Sequence, residues 1–218
     1  MKKVTFYYVR HGQTLFNLQG RMQGWCDSPL TEKGIAEAVK ARDDLKEIRL
    51  DRIYSSTSER CVDTVNIINE GRNIPVYYLK GLKEIYFGRQ EGILIADHYE
   101  DIDNRRMNTR DWSDQGGENL EMFSKRIRDT LEQIYDECED GMNVLIVSHG
   151  AIFLQMVEFL FKLNRKEFIE LVITDDPERH PIPNGFAAIF HREGDEYEMD
   201  CFIGRDEKIL AKLKADRL

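Results

Sequence analysis

Residues 5–14 read Thr5-Phe6-Tyr7-Tyr8-Val9-Arg10-His11-Gly12-Gln13-Thr14, a β-branched and aromatic run that ends abruptly in polar groups. The apolar part, Val4 to Val9, predicts a short and largely buried strand. In an open α/β sheet, ligands bind at the carboxyl ends of the strands, and Arg10, His11 and Gly12 fall at that end. A guanidinium suits bidentate phosphate binding, a neutral imidazole can attack phosphorus, and a glycine lets the backbone approach a ligand closely. The same spacing also fits a plain strand followed by a polar turn.

A second segment repeats this design far along the chain. Asn143 to Val147 predicts another buried strand, and Ser148-His149-Gly150 follows at its carboxyl end. If the two strands lie side by side in a parallel sheet, His11 and His149 would face one pocket. The repetition therefore favours a functional site over two unrelated polar turns.

The rest of the chain alternates between strand and helix patterns. Strands are predicted at 52–54, 76–79, 186–190 and 197–202, and helices after Thr31, at 58–69, 118–138 and 151–161, and on the surface near 209–213. This alternation predicts an α/β fold, a three-layer sandwich with a mostly parallel central sheet and helices on both faces. Segment 85–117 has no clean period, and we expect a lid-like excursion over the carboxyl ends of the strands. Segment 174–185 contains three prolines and is predicted to be irregular.

The composition indicates one soluble globular domain that spans residues 1–218, since 41% of the residues are hydrophobic and 33% are charged. The net charge of -9 argues against nucleic acid or an anionic membrane as the main partner. Four widely separated cysteines favour neither a disulfide framework nor a zinc site, and they suit a reducing cytoplasm. We expect no signal peptide before the first strand, and we interpret the apolar stretch 144–161 as a strand and a helix rather than a membrane span.

Several short motifs occur along the chain between residues 10 and 150. They are Arg10-His11-Gly12-Gln13-Thr14 with Asn17, Pro29-Leu30-Thr31 with Gly34, Ser55-Ser56 with Arg60 and Thr64, Glu84 with Phe87-Gly88 and Glu91-Gly92, Gly116-Gly117-Glu118, and Ser148-His149-Gly150. With these motifs in this order, the sequence resembles the histidine phosphatase superfamily, the phosphoglycerate mutase-like proteins, in its branch of small phosphatases.

The resemblance implies catalytic roles for five residues. His11 would form a covalent phosphohistidine, with its other ring nitrogen donating to a backbone carbonyl. Arg10, Arg60 and a protonated His149 would form a cationic cage around the phosphoryl group. Glu84 would donate a proton to the leaving group. Its pKa depends on whether burial, which raises it, outweighs the nearby cations, which lower it, and the sequence leaves that balance open.

Further residues match positions that contact the phosphoryl group or the substrate in this family. They are Asn17, Gln23 and Gly24. Arg105-Arg106 is similar to an arginine pair that helps to hold the substrate in the mutases. We interpret this pair as solvated surface, because the stretch around it is irregular.

The predicted function is hydrolysis of a phosphate monoester of a small metabolite. One alternative is a cofactor-dependent phosphoglycerate mutase, in which the phosphoryl group returns to the substrate instead of passing to water. Another is a catalytically silent binding protein of the same fold. The stretch from Glu84 to Gly92 is similar to that of the phosphatases and favours hydrolysis. The sequence predicts no metal site and no cofactor. It does not identify the substrate or the oligomeric state, for which a homodimer is one option.

Overall fold

A six-stranded sheet forms the centre of the protein in a computed structural model, which describes residues 1–175, 182–203 and 205–216. The strands are β1 (Lys3–Arg10), β2 (Arg52–Ser56), β3 (Val76–Leu79), β4 (Asn143–Ser148), β5 (Gly185–Glu193) and β6 (Glu196–Phe202). They lie in the order β3-β2-β4-β1-β5-β6. The first four are parallel to one another, and β5 and β6 add an antiparallel hairpin beside β1. The prediction of a mostly parallel sheet is confirmed.

Helices connect most of these strands. They are α1 (Leu15–Leu18), α2 (Glu32–Asp44), α3 (Glu59–Ile68), α4 (Tyr99–Asn104), α5 (Leu120–Glu137), α6 (Gly150–Phe159), α7 (Arg165–Asp175) and α8 (Glu207–Ala215). Short 3-10 turns lie at Lys80–Leu82, Gly88–Gln90, Ile95–His98 and Ser113–Gln115, and a π turn lies at Arg105–Thr109. Across the described residues, no helix has both the length and the apolar character that a membrane span requires.

The two faces of the sheet are covered by different helices, because side chains alternate along each strand. On one face, Val9, Ile53 and Leu145 pack against α2 and α3. On the other face, Tyr8 and Ile146 join a larger core with α5, α6, α7 and α8. Burial on both faces explains why β1 and β4 are almost continuously apolar. The predicted three-layer sandwich is therefore confirmed.

The structure corrects the sequence prediction in the carboxyl-terminal third. Helix α7 was not predicted, and the irregular segment predicted at 174–185 is wrong at both ends, since α7 continues through Asp175 and β5 begins at Gly185. Residues 176–181 of that segment lie outside the described residues. A proline disfavours the helical conformation for the residue before it, so Pro177 leaves the helix free to continue through Asp175.

Segment 85–117 consists of short helices and turns that lie across one edge of the sheet. Leu94 pairs with Arg21 in the loop after α1, and the N–H of Gly92 donates to the carbonyl of Met22 at 2.9 Å. At the other side, Arg110 forms an ion pair with Glu158 of α6, the helix that follows β4. The segment thus spans the region beyond the carboxyl ends of β1 and β4.

Candidate active site

The carboxyl ends of β1 and β4 bring two histidines together. The strands pair in parallel up to Arg10 and Ser148, and the N–H of His11 then donates to the carbonyl of Ser148 at 3.1 Å. The ring centroids of His11 and His149 lie 5.2 Å apart, with the ring planes inclined by 63°. Both side chains are buried. The predicted convergence of the two strand ends on one pocket is confirmed.

The ring of His11 has a defined orientation. Its Nδ1 lies 2.8 Å from the carbonyl oxygen of Gly12, so the proton belongs on Nδ1 and the lone pair on Nε2. This is the arrangement expected for a nucleophile. Gly12 is held by its own N–H, which donates to Oγ1 of Thr64 at 3.2 Å. A Cβ at Gly12 would overlap the backbone of Gly34 in α2, so only glycine fits this close crossing.

Arg60 is fully buried at the start of α3, and protein acceptors orient both of its terminal nitrogens. One terminal nitrogen donates to the carbonyl of Cys26 at 3.0 Å and to the carboxylate of Asp27 at 2.7 Å. The other donates to the carbonyl of Gly24 at 2.8 Å and lies 3.0 Å from Nδ1 of His149. Its Nε is buried and has no hydrogen-bond partner among the described residues. A buried donor without a partner is costly, which leaves Nε available to an acceptor on a bound anion.

Arg10 supplies a second buried cation at the end of β1. It donates to the carbonyl of Ile182, and its side chain lies in van der Waals contact range of Gly150 at the start of α6. Burial lowers the pKa of Arg10 to about 10, although Glu84 and Glu37 favour its charged form. The guanidinium therefore stays protonated at neutral pH.

His149 differs from the expectation drawn from the sequence, which was a protonated ring. Burial, followed by the charges of Arg60, His11 and Arg10, lowers its pKa well below the usual value of 6.5. A neutral ring fits its contacts, because Nδ1 accepts from Arg60 and Nε2 lies 2.9 Å from Oγ of Ser56. The cations around the ring disfavour a further positive charge, and protonation of His149 around a bound phosphoryl group stays a prediction.

Glu84 lies against the amino terminus of α6. One carboxylate oxygen accepts the N–H of Ile85 at 3.0 Å, and the other accepts the N–H of Ala151 at 3.0 Å. Burial raises the pKa of Glu84 above its usual value of 4.5 and outweighs these hydrogen bonds and the charges of Arg60 and Arg10. The balance that the sequence left open is thus decided in favour of a carboxyl group that can hold and give a proton.

The three predicted substrate-binding residues lie in α1 and in the loop after α1. Oδ1 of Asn17 accepts the N–H of Thr14 at 3.2 Å and caps α1, which leaves the amide nitrogen to contact a ligand. Gln23 is engaged at both ends, because Oε1 accepts from Thr14 at 2.6 Å and Nε2 donates to Ser28 at 3.0 Å. Gly24 offers its carbonyl to Arg60. Contact of these three residues with substrate stays a prediction.

Arg106 is exposed, as the interpretation of the Arg105-Arg106 pair as solvated surface predicts. Local desolvation nevertheless lowers the pKa of its guanidinium, and the charge of Glu84 acts on this pKa in the opposite sense. One guanidinium nitrogen lies 3.2 Å from Sδ of Met22, a weak acceptor. Its neighbour Arg105 instead pairs with surface carboxylates of Asp101 and Asp114. No periodicity in this segment could have separated the two arginines.

Positive charge in the site comes from side chains. Arg10 and Arg60 flank the two histidines from β1 and α3. Within the part of the chain that the structure describes, no three His, Cys, Asp or Glu side chains come together in a way that could hold a metal ion. The arrangement of a neutral imidazole nucleophile, two buried guanidinium groups and a carboxyl group with a raised pKa is suited to phosphoryl transfer.

Comparison with known proteins also indicates a phosphoryl-transfer enzyme. A family model described as "Histidine phosphatase superfamily (branch 1)" matches residues 6–177. The chain is similar to the adenosylcobalamin/alpha-ribazole phosphatase of Salmonella typhimurium, with 32% identity over 72% of this chain and 79% of that protein. It is also similar to 2,3-bisphosphoglycerate-dependent phosphoglycerate mutase 2 of Gloeobacter violaceus, with 33% identity over 65% of this chain and 68% of that protein. Among solved structures, Bacillus stearothermophilus YhfR superposes with a TM-score of 0.74 and 29% identity, covering 94% of this chain and 99% of that one.

Proposed function

Because the chain belongs to the histidine phosphatase superfamily, we propose that it is a phosphomonoester hydrolase that acts on a small phosphorylated metabolite through a phosphohistidine intermediate. One observation carries this proposal. The hydrogen bond from Nδ1 of His11 to the carbonyl of Gly12 leaves the lone pair on Nε2, in a site where the charges of Arg10 and Arg60 also act on Glu84.

The first step transfers the phosphoryl group to the protein. Nε2 of His11 attacks phosphorus and forms a P–N bond while the bond from phosphorus to the ester oxygen breaks. The leaving oxygen takes the proton of Glu84, which becomes a carboxylate. In the second step this carboxylate accepts a proton from water as the water oxygen attacks phosphorus, the P–N bond breaks, and orthophosphate and a neutral Glu84 result.

The cations stabilise the charge that develops on the phosphoryl oxygens. Arg10 and Arg60 are positioned before substrate arrives, so no reorganisation is needed at the moment of reaction. A bound phosphate dianion would also favour the protonated form of His149, because it brings an opposite charge next to the ring. In this proposal His149 joins the cage only when the phosphate is bound.

Phosphoglycerate mutase activity is the second candidate, since one of the similar proteins is a mutase of this kind. Both reactions use the same phosphohistidine and differ in whether water or a second substrate hydroxyl accepts the phosphoryl group. Similarity to the alpha-ribazole phosphatase and the phosphatase-like stretch from Glu84 to Gly92 support hydrolysis.

We further propose a cytoplasmic location, which the four free cysteines support.

A panel of phosphate esters tests the proposal. It includes alpha-ribazole phosphate, sugar phosphates, fructose bisphosphate and both phosphoglycerates, each incubated with the wild type and with His11→Ala, with and without a metal chelator. We expect release of orthophosphate by the wild type alone, with no effect of the chelator. Interconversion of 3- and 2-phosphoglycerate without phosphate release would favour the mutase, and equal inactivity of both proteins would favour a silent binding protein.

A further inference from the structure

Glu91 binds four backbone N–H groups with one carboxylate. Oε1 accepts from Trp25 at 2.9 Å and from Phe87 at 3.0 Å, and Oε2 accepts from Gly24 and from Cys26 at 3.0 Å each. Three of the four donors are consecutive residues of the loop after α1. A single side chain therefore sets the conformation of residues 24–26 and ties them to the segment that carries Glu84.

The same loop presents its carbonyl groups to Arg60. The N–H groups of residues 24 and 26 point to Glu91, and their carbonyls accept from the two terminal nitrogens of the guanidinium. The loop is closely packed at Gly24, because a Cβ there would overlap the carbonyl of Ile85 and the carboxylate of Glu91. The orientation of Arg60 thus depends on a carboxylate that does not touch it.

Asp27 completes the arrangement by direct contact. Its Oδ1 accepts from Arg60 at 2.7 Å, and its Oδ2 accepts the N–H of Glu59 at 2.7 Å. The N-cap residue of α3, Ser58, makes no side-chain capping bond, so Asp27 caps this helix from a different part of the chain. The helix and the guanidinium that projects from it are held by the same carboxylate.

We propose that Glu91 and Asp27 are positioning residues for Arg60, with Glu91 acting through the loop 24–26 and Asp27 acting directly. The proposal rests on the proposed function in one respect, that Arg60 binds the phosphoryl group. In this proposal the Nε of Arg60 binds the phosphate beside His149 only while the terminal nitrogens stay on their protein acceptors. Misplacement of a binding group by about 1 Å can reduce a rate about 100-fold.

Substitution Glu91→Gln is a precise perturbation because each carboxylate oxygen accepts two N–H groups. The amide of glutamine keeps one oxygen and replaces the other with an NH₂ group, which would face two donors. Whichever way the amide turns, the loop loses at least one of its bonds to residue 91. We expect kcat/KM for p-nitrophenyl phosphate to fall about 10- to 100-fold, together with the affinity for inorganic phosphate measured by calorimetry.

A double-mutant cycle separates positioning from general destabilisation. In an Arg60→Ala background, Glu91→Gln and Asp27→Asn should each change kcat/KM and phosphate affinity by less than about twofold. The control is Asp51→Asn, because Asp51 also accepts a backbone N–H, from Asn143 at 2.9 Å, but at the opposite end of the sheet. This control should lower Tm and leave kcat, KM and phosphate affinity unchanged.

Several outcomes would overturn the proposal. One is a folded Glu91→Gln protein with wild-type phosphate affinity, and another is an equal loss in the presence and absence of Arg60. If Glu91→Gln does not melt cooperatively, Glu91→Asp takes its place in the test, because the shorter carboxylate cannot reach all four donors. The loss of phosphate affinity in Glu91→Asp should then depend on Arg60 in the same way. A wild type that binds phosphate through Arg60 but hydrolyses no ester would refute the hydrolase alone. A wild type that does neither would refute both.

Discussion

Substitution of Glu84 by glutamine tests whether this residue gives a proton to the leaving group. Glutamine has nearly the same shape but no proton of suitable acidity. Hydrolysis of an alkyl phosphate, whose leaving oxygen departs as a strongly basic alkoxide, should fall about 10²- to 10⁴-fold. Hydrolysis of p-nitrophenyl phosphate should fall much less, because its leaving group is a stable anion that needs no proton.

The hydrogen bonds of Glu84 also predict how much Glu84→Gln destabilises the folded protein. The two carboxylate oxygens of Glu84 accept the N–H groups of Ile85 and Ala151. The amide of glutamine can accept only one of them, and a buried N–H left without a partner costs about 1–3 kcal/mol. For a domain of this size, that loss lowers Tm by about 2–12 °C.

The stability difference between the two proteins should depend on pH. Burial raises the pKa of Glu84 above 4.5, so its protonated form stabilises the folded state. This contribution is complete below pH 4.5 and is lost as the pH rises through the raised pKa. The deficit of Glu84→Gln relative to the wild type should therefore be largest in acid and shrink toward neutral pH.

The assay compares kcat/KM for glycerol 2-phosphate and p-nitrophenyl phosphate, with Tm measured by circular dichroism at acidic and neutral pH. Glu132→Gln is the matched control, since Glu132 pairs with Arg192 far from the site. Equal losses on the two esters, at a pH where both proteins are fully folded, would show that Glu84 does not protonate the leaving group.

Three further predictions follow from individual contacts. Gly12→Ala should destabilise the fold by about 1–3 kcal/mol in urea unfolding and disturb His11, because the added Cβ overlaps Gly34; wild-type stability would contradict the close crossing. Because the pKa of His149 is depressed, its neutral ring stabilises the folded state above pH 6.5, and this stabilisation is lost as the pH falls. In phosphate-free buffer, the free energy of unfolding of His149→Asn should therefore fall less steeply toward acid pH than that of the wild type. Arg106→Met should raise KM for esters that carry a second anionic group and leave KM for p-nitrophenyl phosphate unchanged. Arg105→Met removes surface ion pairs and should leave KM for both kinds of ester unchanged. Equal effects of the two variants would place Arg106 outside the substrate pocket.

Several features of the site can be read from the sequence because they depend on local patterns. The run before Arg10-His11-Gly12 and the run before Ser148-His149-Gly150 are buried strands by composition alone. Parallel strands align their carboxyl ends at one edge of a sheet, so the meeting of His11 and His149 follows from the alternation of strands and helices. The hydrogen bond from the His11 ring to an adjacent carbonyl is equally local.

Other features depend on groups that are distant in the chain and carry no pattern. Glu91 and the loop 24–26 are more than sixty residues apart, and nothing in either segment indicates that one carboxylate binds that backbone. Arg105 and Arg106 are adjacent, yet one pairs with surface carboxylates and the other lies against the thioether of Met22. The direction of a side chain in an irregular segment is decided by packing against neighbours that only the folded chain supplies.

The sequence by itself determined the order of the elements and the identity of the reacting groups, because hydrophobic period and side-chain chemistry are properties of short segments. Only the tertiary structure decided the direction in which their pKa values shift. Desolvation raises the pKa of Glu84 and lowers that of His149, and the charges of Arg60 and Arg10, from α3 and β1, lower both. Desolvation and summed Coulomb interactions exist only once the chain has folded, and they decide which group can act as acid and which as a neutral acceptor.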